Sequence, residues 1–345
     1  MNVTNGRFKN NYDFLRLFAA FCIAFTHSFN LLLVNNGEPL MFVSGNRYDF
    51  SFIGLSIFFC VSGYLITKSA CTSKSFLQYC WKRFLRIQPL LIVVCLLSVL
   101  LIGPLYTSLD TTAYFANLST WTYFRNIFPA TGIQFTLPGV FEKNIAESSV
   151  NGSLWTLIVE ERLYLFMSLL FLAKHKKIYF VYIMLLINLL YMCRGFIFFG
   201  TIATYLNGGH IFYAMLFLNA GVLYLLNIDF CSLKKRKYWL VFIPVAIFCM
   251  VWPVLNFLQV MVIPFCVIIL ANIKGITNKA GRWGDFTYGI YIFSFPVQQM
   301  LIASRPYGGN PYLLFLETIL IVVPLAILSW YIVEKKFLGM KNNIY

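Results

Sequence analysis

The chain has 345 residues, of which 60% are hydrophobic and 11% charged, and its formal net charge is +15. A soluble domain carries about 25% charged residues, so this composition excludes a soluble globular protein and indicates an integral membrane protein. The positive charge does not indicate nucleic-acid binding, because the basic residues cluster in alternate loops between apolar segments. The expected partners of these clusters are membrane lipid head groups, and no nucleic acid is expected.

Apolar segments of the length that crosses a bilayer, about 17–25 residues, recur along the whole chain. The ten predicted spans are 12–34, 50–69, 87–107, 153–173, 177–194, 209–227, 238–253, 254–271, 285–303 and 311–333. The positive-inside rule places both termini in the cytoplasm. The sequence therefore predicts an all-α, multi-pass protein of the inner membrane, with about ten helices around a central polar cavity and one domain over 1–345. Trp252-Pro253 fits either a turn or a kink.

The first predicted span carries two ionisable residues, Arg16 and His27. Charged groups inside a membrane are costly and usually line a polar interior. Eleven residues of helix amount to three turns plus roughly 20°, so both side chains lie on one stripe, displaced by about 16 Å. This spacing predicts a cavity with a cation near its cytoplasmic mouth and a base deep inside.

Glu160 lies in the fourth predicted span at the same expected depth as His27, roughly 10 Å below the outer boundary. A carboxylate beside an imidazole fixes its tautomer and supports general-base catalysis, so Glu160 is predicted to orient His27. The alternative is a purely structural ion network, in which Glu161 and Arg162 pair with each other.

A basic segment, Trp81 to Arg86, precedes the third predicted span. On a helix the side chains of Lys82, Arg83 and Arg86 converge, and forked guanidiniums suit phosphate binding. The alternative reading is that these residues only anchor the span at the lipid head groups.

Several segments together resemble the acyltransferase type 3 family of integral-membrane O-acyltransferases, over nearly the whole chain. They are Tyr12 to His27, Gly54 to Ile66, Arg83 and Arg86 followed by Pro89, Asn151 to Glu160, Gly284 to Tyr291, Phe295-Pro296-Val297 and Val333 to Lys336. One position departs from the pattern, because many members have a histidine where this chain has Ser294.

The resemblance implies acyl-CoA, most often acetyl-CoA, as the cytoplasmic donor, and a hydroxyl of a cell-surface or lipid-linked glycan as the acceptor. Arg83 and Arg86, with Lys82, would bind the coenzyme A phosphates, and the pantetheine arm would pass Arg16. His27 would deprotonate the acceptor hydroxyl or carry the acyl group, with Glu160 as its orienting carboxylate. No additional soluble domain and no metal cofactor are expected.

Two other functions are compatible with parts of this pattern. A polytopic transporter would use Arg16, His27 and Glu160 as a substrate or proton relay, but transporters typically show internal repeats, which the sequence lacks. A scaffold for polysaccharide export leaves the cost of the Arg16–His27 stripe unexplained. The longest connection, 108–152, is predicted to be an outer lid that faces the acceptor.

Overall fold

The computed structural model describes most of the chain. The described residues are 10–171, 177–193, 209–228, 241, 244, 245, 248, 256–273, 276–305 and 307–342. Most of the seventh predicted span, including Trp252-Pro253, lies outside them.

The described residues are helical, with no β-strand among them and only two isolated β-bridges. The α-helices are α1 Tyr12–Asn30, α2 Pro39–Val43, α3 Phe50–Thr72, α4 Phe76–Leu97, α5 Gly103–Tyr106, α6 Thr111–Ala116, α7 Leu118–Thr122, α8 Trp155–Ser168, α9 Lys177–Met192, α10 Gly209–Leu225, α11 Asn256–Ala271, α12 Thr287–Ser304, α13 Pro311–Ser329 and α14 Lys335–Gly339. The predicted all-α fold class is confirmed for this part of the chain.

Within the described residues, three helical stretches are long and apolar enough to cross a membrane: Phe50–Thr72, Phe76–Tyr106 and Pro311–Gly339. Two of them continue through a π-helical turn, at Ser98–Ile102 and Trp330–Glu334. Helices also cover the other predicted spans that fall on described residues. The third predicted span, 87–107, continues a helix that starts earlier, because α4 already begins at Phe76 and contains the whole basic segment.

The chain divides into two compact units. Unit 1 comprises Met1–Arg16, Leu55–Tyr79 and Leu163–Trp283, and unit 2 comprises Leu17–Gly54, Cys80–Arg162 and Gly284–Tyr345. In unit 1, Gly63 of α3 lies directly against the Phe217 backbone of α10. A side chain at residue 63 would overlap the Phe217 carbonyl, so glycine permits this close helix packing.

Asparagine side chains hold further helices of unit 1 together. Asn188 of α9 and Asn219 of α10 exchange hydrogen bonds of 2.7 and 2.9 Å, and Asn219 also donates to the Val260 carbonyl of α11. At the start of α1, the Asn11 amide donates to the Ile273 carbonyl at 2.7 Å. These bonds fix the first turn of α1, and therefore the backbone near Arg16, to the end of α11.

In unit 2, the chain between Asp110 and Thr131 runs back along α4 as short helices. Tyr114 donates to the Val99 carbonyl at 3.0 Å, while the Ala130 amide donates to Glu161 in α8. Asn126 and the Gln134 backbone exchange two hydrogen bonds, of 2.7 and 2.8 Å. In this part, the segment predicted as an outer lid is folded against helices, and its role as a lid that faces the acceptor stays a prediction.

Candidate active site

Helix α12 is the frame of the candidate site, because nearly every residue from Thr287 to Gln299 is buried. A helix buried on all sides lies inside a helical assembly rather than on its surface. At one end, Asp285 precedes the helix. At a rise of 1.5 Å per residue, Phe295 lies about 12 Å further along the axis from Thr287.

His27 packs against this helix at Phe295. The two rings meet edge to face with their centroids 5.2 Å apart, and the imidazole is half-buried. The His27 side chain makes no hydrogen bond to any residue that the structure describes. Neither ring nitrogen is therefore engaged by a described residue.

Gln298 lies one turn beyond Phe295 and is fully buried. Its Nε2 donates to the Ala24 carbonyl and to the Ser28 hydroxyl, both at 2.8 Å. Ala24 and Ser28 flank His27 on α1, so the Gln298 amide holds in place the helical turn that carries the imidazole.

The turn before α8 also packs against the Phe295 ring. A side chain at Gly152 would come within 2.6 Å of this ring, so only glycine fits without displacing it. Asn151 fixes the turn by donating to the Ile292 carbonyl at 3.0 Å and by accepting from the Ser153 amide at 3.1 Å. We call His27, Gly152, Ser153, Phe295 and Gln298 the Phe295 cluster.

Tyr291 connects α12 to the first turn of α8. Its hydroxyl lies 2.5 Å from the Thr156 hydroxyl and donates to the Ser153 carbonyl at 2.7 Å. The buried Oγ of Ser153 has no hydrogen-bond partner among the described residues, and the same holds for the side-chain oxygen of Gln298.

At the other end of α12, charged side chains are paired. Arg86 of α4 forms an ion pair of 2.7 Å with Asp285, and both side chains are largely buried, at 14% and 17% exposure. Asp285 also accepts from the Thr287 amide at 3.3 Å, which stabilises the start of α12. The adjacent Ile87 carbonyl accepts from Tyr288 at 3.2 Å.

Comparison with known proteins identifies the family to which the chain belongs. The acyltransferase domain of the acyltransferase 3 family matches residues 9–334. The chain belongs to this family. The predicted resemblance is confirmed, and so is the prediction that the chain is an acyltransferase.

Two relatives of this acyltransferase are informative. An O-acetyl transferase of Shigella phage Sf6 is 27% identical over 358 residues, which cover 96% of each chain. Nodulation protein 10 of Rhizobium leguminosarum bv. viciae is 36% identical over 167 residues, covering 47% of this chain and 44% of the relative. No solved structure matches the chain.

The structure of the acyltransferase places Glu160 near a different part of α12 from His27. Glu160 is buried and lies within electrostatic range of Tyr288 and Tyr291, one to two turns from Phe295. No hydrogen bond joins it to His27. The orienting role of Glu160 therefore stays a prediction.

Glu161 and Arg162 do not pair with each other in the structure, although the sequence left this pairing open. Glu161 accepts from the Gln88 amide at 2.6 Å and from the Ala130 backbone at 2.8 Å. Arg162 is exposed and donates to the Ala130 carbonyl at 3.3 Å. Both side chains converge on Ala130 because the folded-back segment brings backbone polar groups to α8, which the sequence spacing could not reveal.

The remaining predicted site residues lie on the expected helices. Arg16 and His27 share the continuous helix α1, with Arg16 in unit 1 and half-buried. Lys82, Arg83 and Arg86 lie on α4 and are also half-buried. Their roles with the donor remain predictions.

Ser294 is bonded within its own helix. It is buried, and its hydroxyl donates to the Ile290 carbonyl of its own helix at 2.5 Å. The sequence analysis missed Gln298. Two successive glutamines inside an apolar span are costly, and this signal could have identified the pair Gln298-Gln299.

Glu38, between α1 and α3, is a further buried acid that the sequence analysis missed. One carboxylate oxygen accepts from the Phe50 amide at 2.6 Å and from the Thr26 hydroxyl at 3.0 Å, while the other has no partner within the described ranges. Burial raises the pKa of Glu38, because it disfavours the charged form. Glu38 and Thr26 thereby attach α1, one residue before His27, to the start of α3.

Proposed function

We propose that this acyltransferase is a multi-pass inner-membrane O-acetyltransferase with ten spans and cytoplasmic termini. It transfers an acetyl group from cytoplasmic acetyl-CoA to a hydroxyl of a cell-surface or lipid-linked glycan. The observation that carries the proposal is the His27 imidazole in the Phe295 cluster, which has no hydrogen-bond partner in the described part of the chain. Family membership and the O-acetyl transferase relative support this function over a transporter.

In this mechanism His27 acts as the general base. Its neutral imidazole takes the proton of the acceptor hydroxyl while the hydroxyl oxygen attacks the thioester carbonyl. The carbon–sulfur bond breaks, the acetyl ester remains on the glycan, and the coenzyme A thiolate leaves and is protonated. Glu160 would balance the charge of the imidazolium that forms.

The donor phosphates would bind to the basic face of α4. Lys82, Arg83 and Arg86 present cations within two turns of one helix, and Asp285 fixes the orientation of the Arg86 guanidinium. Arg16 would contact the donor further along its path. The apolar helices around the Phe295 cluster would limit the access of water to the thioester.

The test uses purified full-length protein, radiolabelled acetyl-CoA and surface glycan isolated from cells that lack this protein. We expect acetyl transfer by the wild type and a loss of roughly 1,000-fold or more in His27→Ala, because the base is removed. The wild-type kcat/KM should fall at acid pH, since a protonated imidazole cannot accept a proton.

A matched control is His210→Ala, which alters an exposed histidine of α10. It should retain wild-type transfer, and both variants should keep the wild-type melting temperature. Acetyl transfer by a folded His27→Ala protein at the wild-type rate would refute the mechanism. Absence of transfer by the wild type would refute the proposed function.

A further inference from the structure

The amide of Gln298 has only one possible orientation. The Ala24 carbonyl can only accept a hydrogen bond, so the amide nitrogen must face it, as the distance of 2.8 Å shows. The amide oxygen then points away from Ala24 and Ser28. It is buried and has no donor among the described residues.

The neighbouring glutamine provides a direct contrast. Gln299 is equally buried, yet its amide is completely paired. Its nitrogen donates to the Glu147 and Ser149 carbonyls at 2.9 and 2.8 Å, and its oxygen accepts from Asn144 at 2.7 Å. Buried amides are normally satisfied in this way, so the unpaired oxygen of Gln298 requires an explanation.

The position of this oxygen supplies the explanation. Gln298 and Phe295 are three residues apart on one face of α12, and they contact the turn of α1 that carries His27. The Ser153 hydroxyl, also buried and unpartnered within the described ranges, follows the glycine that packs on Phe295. The unpaired Gln298 oxygen therefore belongs to the same face of α12 that holds Phe295 against the His27 ring.

We propose that Gln298 is a specificity-determining residue that accepts a hydrogen bond from a second hydroxyl of the acceptor, adjacent to the hydroxyl that His27 deprotonates. This inference rests on the proposed function and defines its substrate class as a sugar unit with two neighbouring hydroxyls. An amide oxygen is neutral and accepts hydrogen bonds without taking a proton, so it binds the second hydroxyl while the imidazole acts on the first.

The first experiment measures glycan binding and acetyl transfer in Gln298→Met and Gln299→Met, two adjacent changes of the same chemistry. The acceptor is again the surface glycan from cells that lack the protein. Gln298→Met should raise the Kd and KM for glycan about tenfold or more, because a site built for a hydroxyl loses its acceptor. The KM for acetyl-CoA should stay within about twofold, while kcat should fall because the variant also loses the two hydrogen bonds to the turn that carries His27.

Gln299→Met should lower the melting temperature, because it removes three internal hydrogen bonds, but it should leave the Kd and KM for glycan unchanged. Equal changes of glycan affinity in both variants, or no change in Gln298→Met, would overturn the inference. Glycan binding that depends on Gln298 without acetyl transfer would overturn the proposed function alone. Transfer that does not depend on Gln298 would overturn the inference alone.

A second measurement needs only the wild type and applies even if Gln298→Met does not fold. cis-1,2-Cyclohexanediol and cyclohexanol are tested as inhibitors of glycan acetylation. The diol should inhibit at a concentration at least about fivefold lower, because only the diol offers the second hydroxyl to Gln298. Equal potency, or no inhibition by either compound, would contradict the inference.

Discussion

The two ends of α12 differ in how their polar side chains are partnered. At the Asp285 end, the Arg86 guanidinium and the Thr287 amide both donate hydrogen bonds to the Asp285 carboxylate. In the Phe295 cluster, Ser153 and Gln298 each keep a buried polar atom without a partner in the described part of the chain, and the half-buried His27 makes no hydrogen bond there. Unpaired buried polar groups are costly, especially in an apolar setting. The paired end therefore holds helices together, and the unpaired end is where we propose that the acceptor binds.

The largest effect on stability is expected at the paired end. Arg86→Ala leaves the Asp285 carboxylate buried without its cation, which should lower the free energy of unfolding by about 3–5 kcal/mol. Arg125→Ala, which removes an exposed arginine from the folded-back segment, should cost far less. Thermal unfolding in detergent measures both. A stable Arg86→Ala protein that has lost only acetyl-CoA affinity would show that Arg86 serves the donor rather than the fold.

The next largest effect is expected in the Phe295 cluster. Gly152→Ala pushes a methyl group against the Phe295 ring and, through it, displaces His27. A displacement of about 1 Å can cost on the order of 100-fold in rate, so kcat/KM for acetyl transfer should fall by roughly that factor. Gly37→Ala is the control, because no atom lies within 4 Å of its added methyl group. Equal activity of the two variants would show that the Phe295 ring does not position the base.

Glu38 is an intermediate case, with one carboxylate oxygen paired and the other not. Glu38→Ala removes the acceptor of the Phe50 amide and the Thr26 hydroxyl, which should cost about 1–3 kcal/mol. Glu38→Gln keeps that acceptor and should retain most of the stability. Thermal unfolding of both variants at one pH separates the stability lost with the hydrogen bonds from the stability lost with the charge.

The stability of the wild type relative to Glu38→Gln should change with pH in a defined direction. The pKa of Glu38 is raised by burial, so the folded protein binds this proton more tightly than the unfolded chain. Its contribution to stability is present below the ordinary value of 4.5 and is lost as pH rises through the raised folded value. The melting temperature of the wild type, relative to Glu38→Gln, should therefore fall as pH rises from 4.5. A pH-independent difference would contradict the raised pKa.

The smallest effect is expected at Tyr291, which is hydrogen-bonded to the chain beside the Phe295 cluster. Tyr291→Phe removes the hydroxyl that contacts Thr156 and the Ser153 carbonyl, at a cost of about 0.5–1.5 kcal/mol in the free energy of unfolding. The kcat for acetyl transfer should stay close to that of the wild type. A loss as large as that of His27→Ala would instead place Tyr291 among the catalytic residues.

Residues near one another in the chain were predicted well, and pairings between distant helices were not. The stripe of Arg16 and His27 followed from helical periodicity alone, and α1 confirms that both residues share one helix. The pairing of Glu161 with Gln88 and Ala130 could not be foreseen, because it joins positions 73 and 31 residues apart. The start of α4 was missed because charged residues interrupt the apolar pattern that marked the spans.

The amino-acid sequence alone determined the all-helical membrane class, the acyltransferase family and the choice of His27 as the candidate base. These depend on hydropathy, on helical periodicity and on the order of short motifs, which are local properties of the chain. Only the tertiary structure decided which polar groups are paired. Arg86 and Asp285 form an ion pair, whereas the Gln298 oxygen has no donor among the described residues. Hydrogen bonds between helices depend on which neighbouring helix a side chain faces and on its depth in the assembly. Neither is encoded in the spacing of residues along one helix.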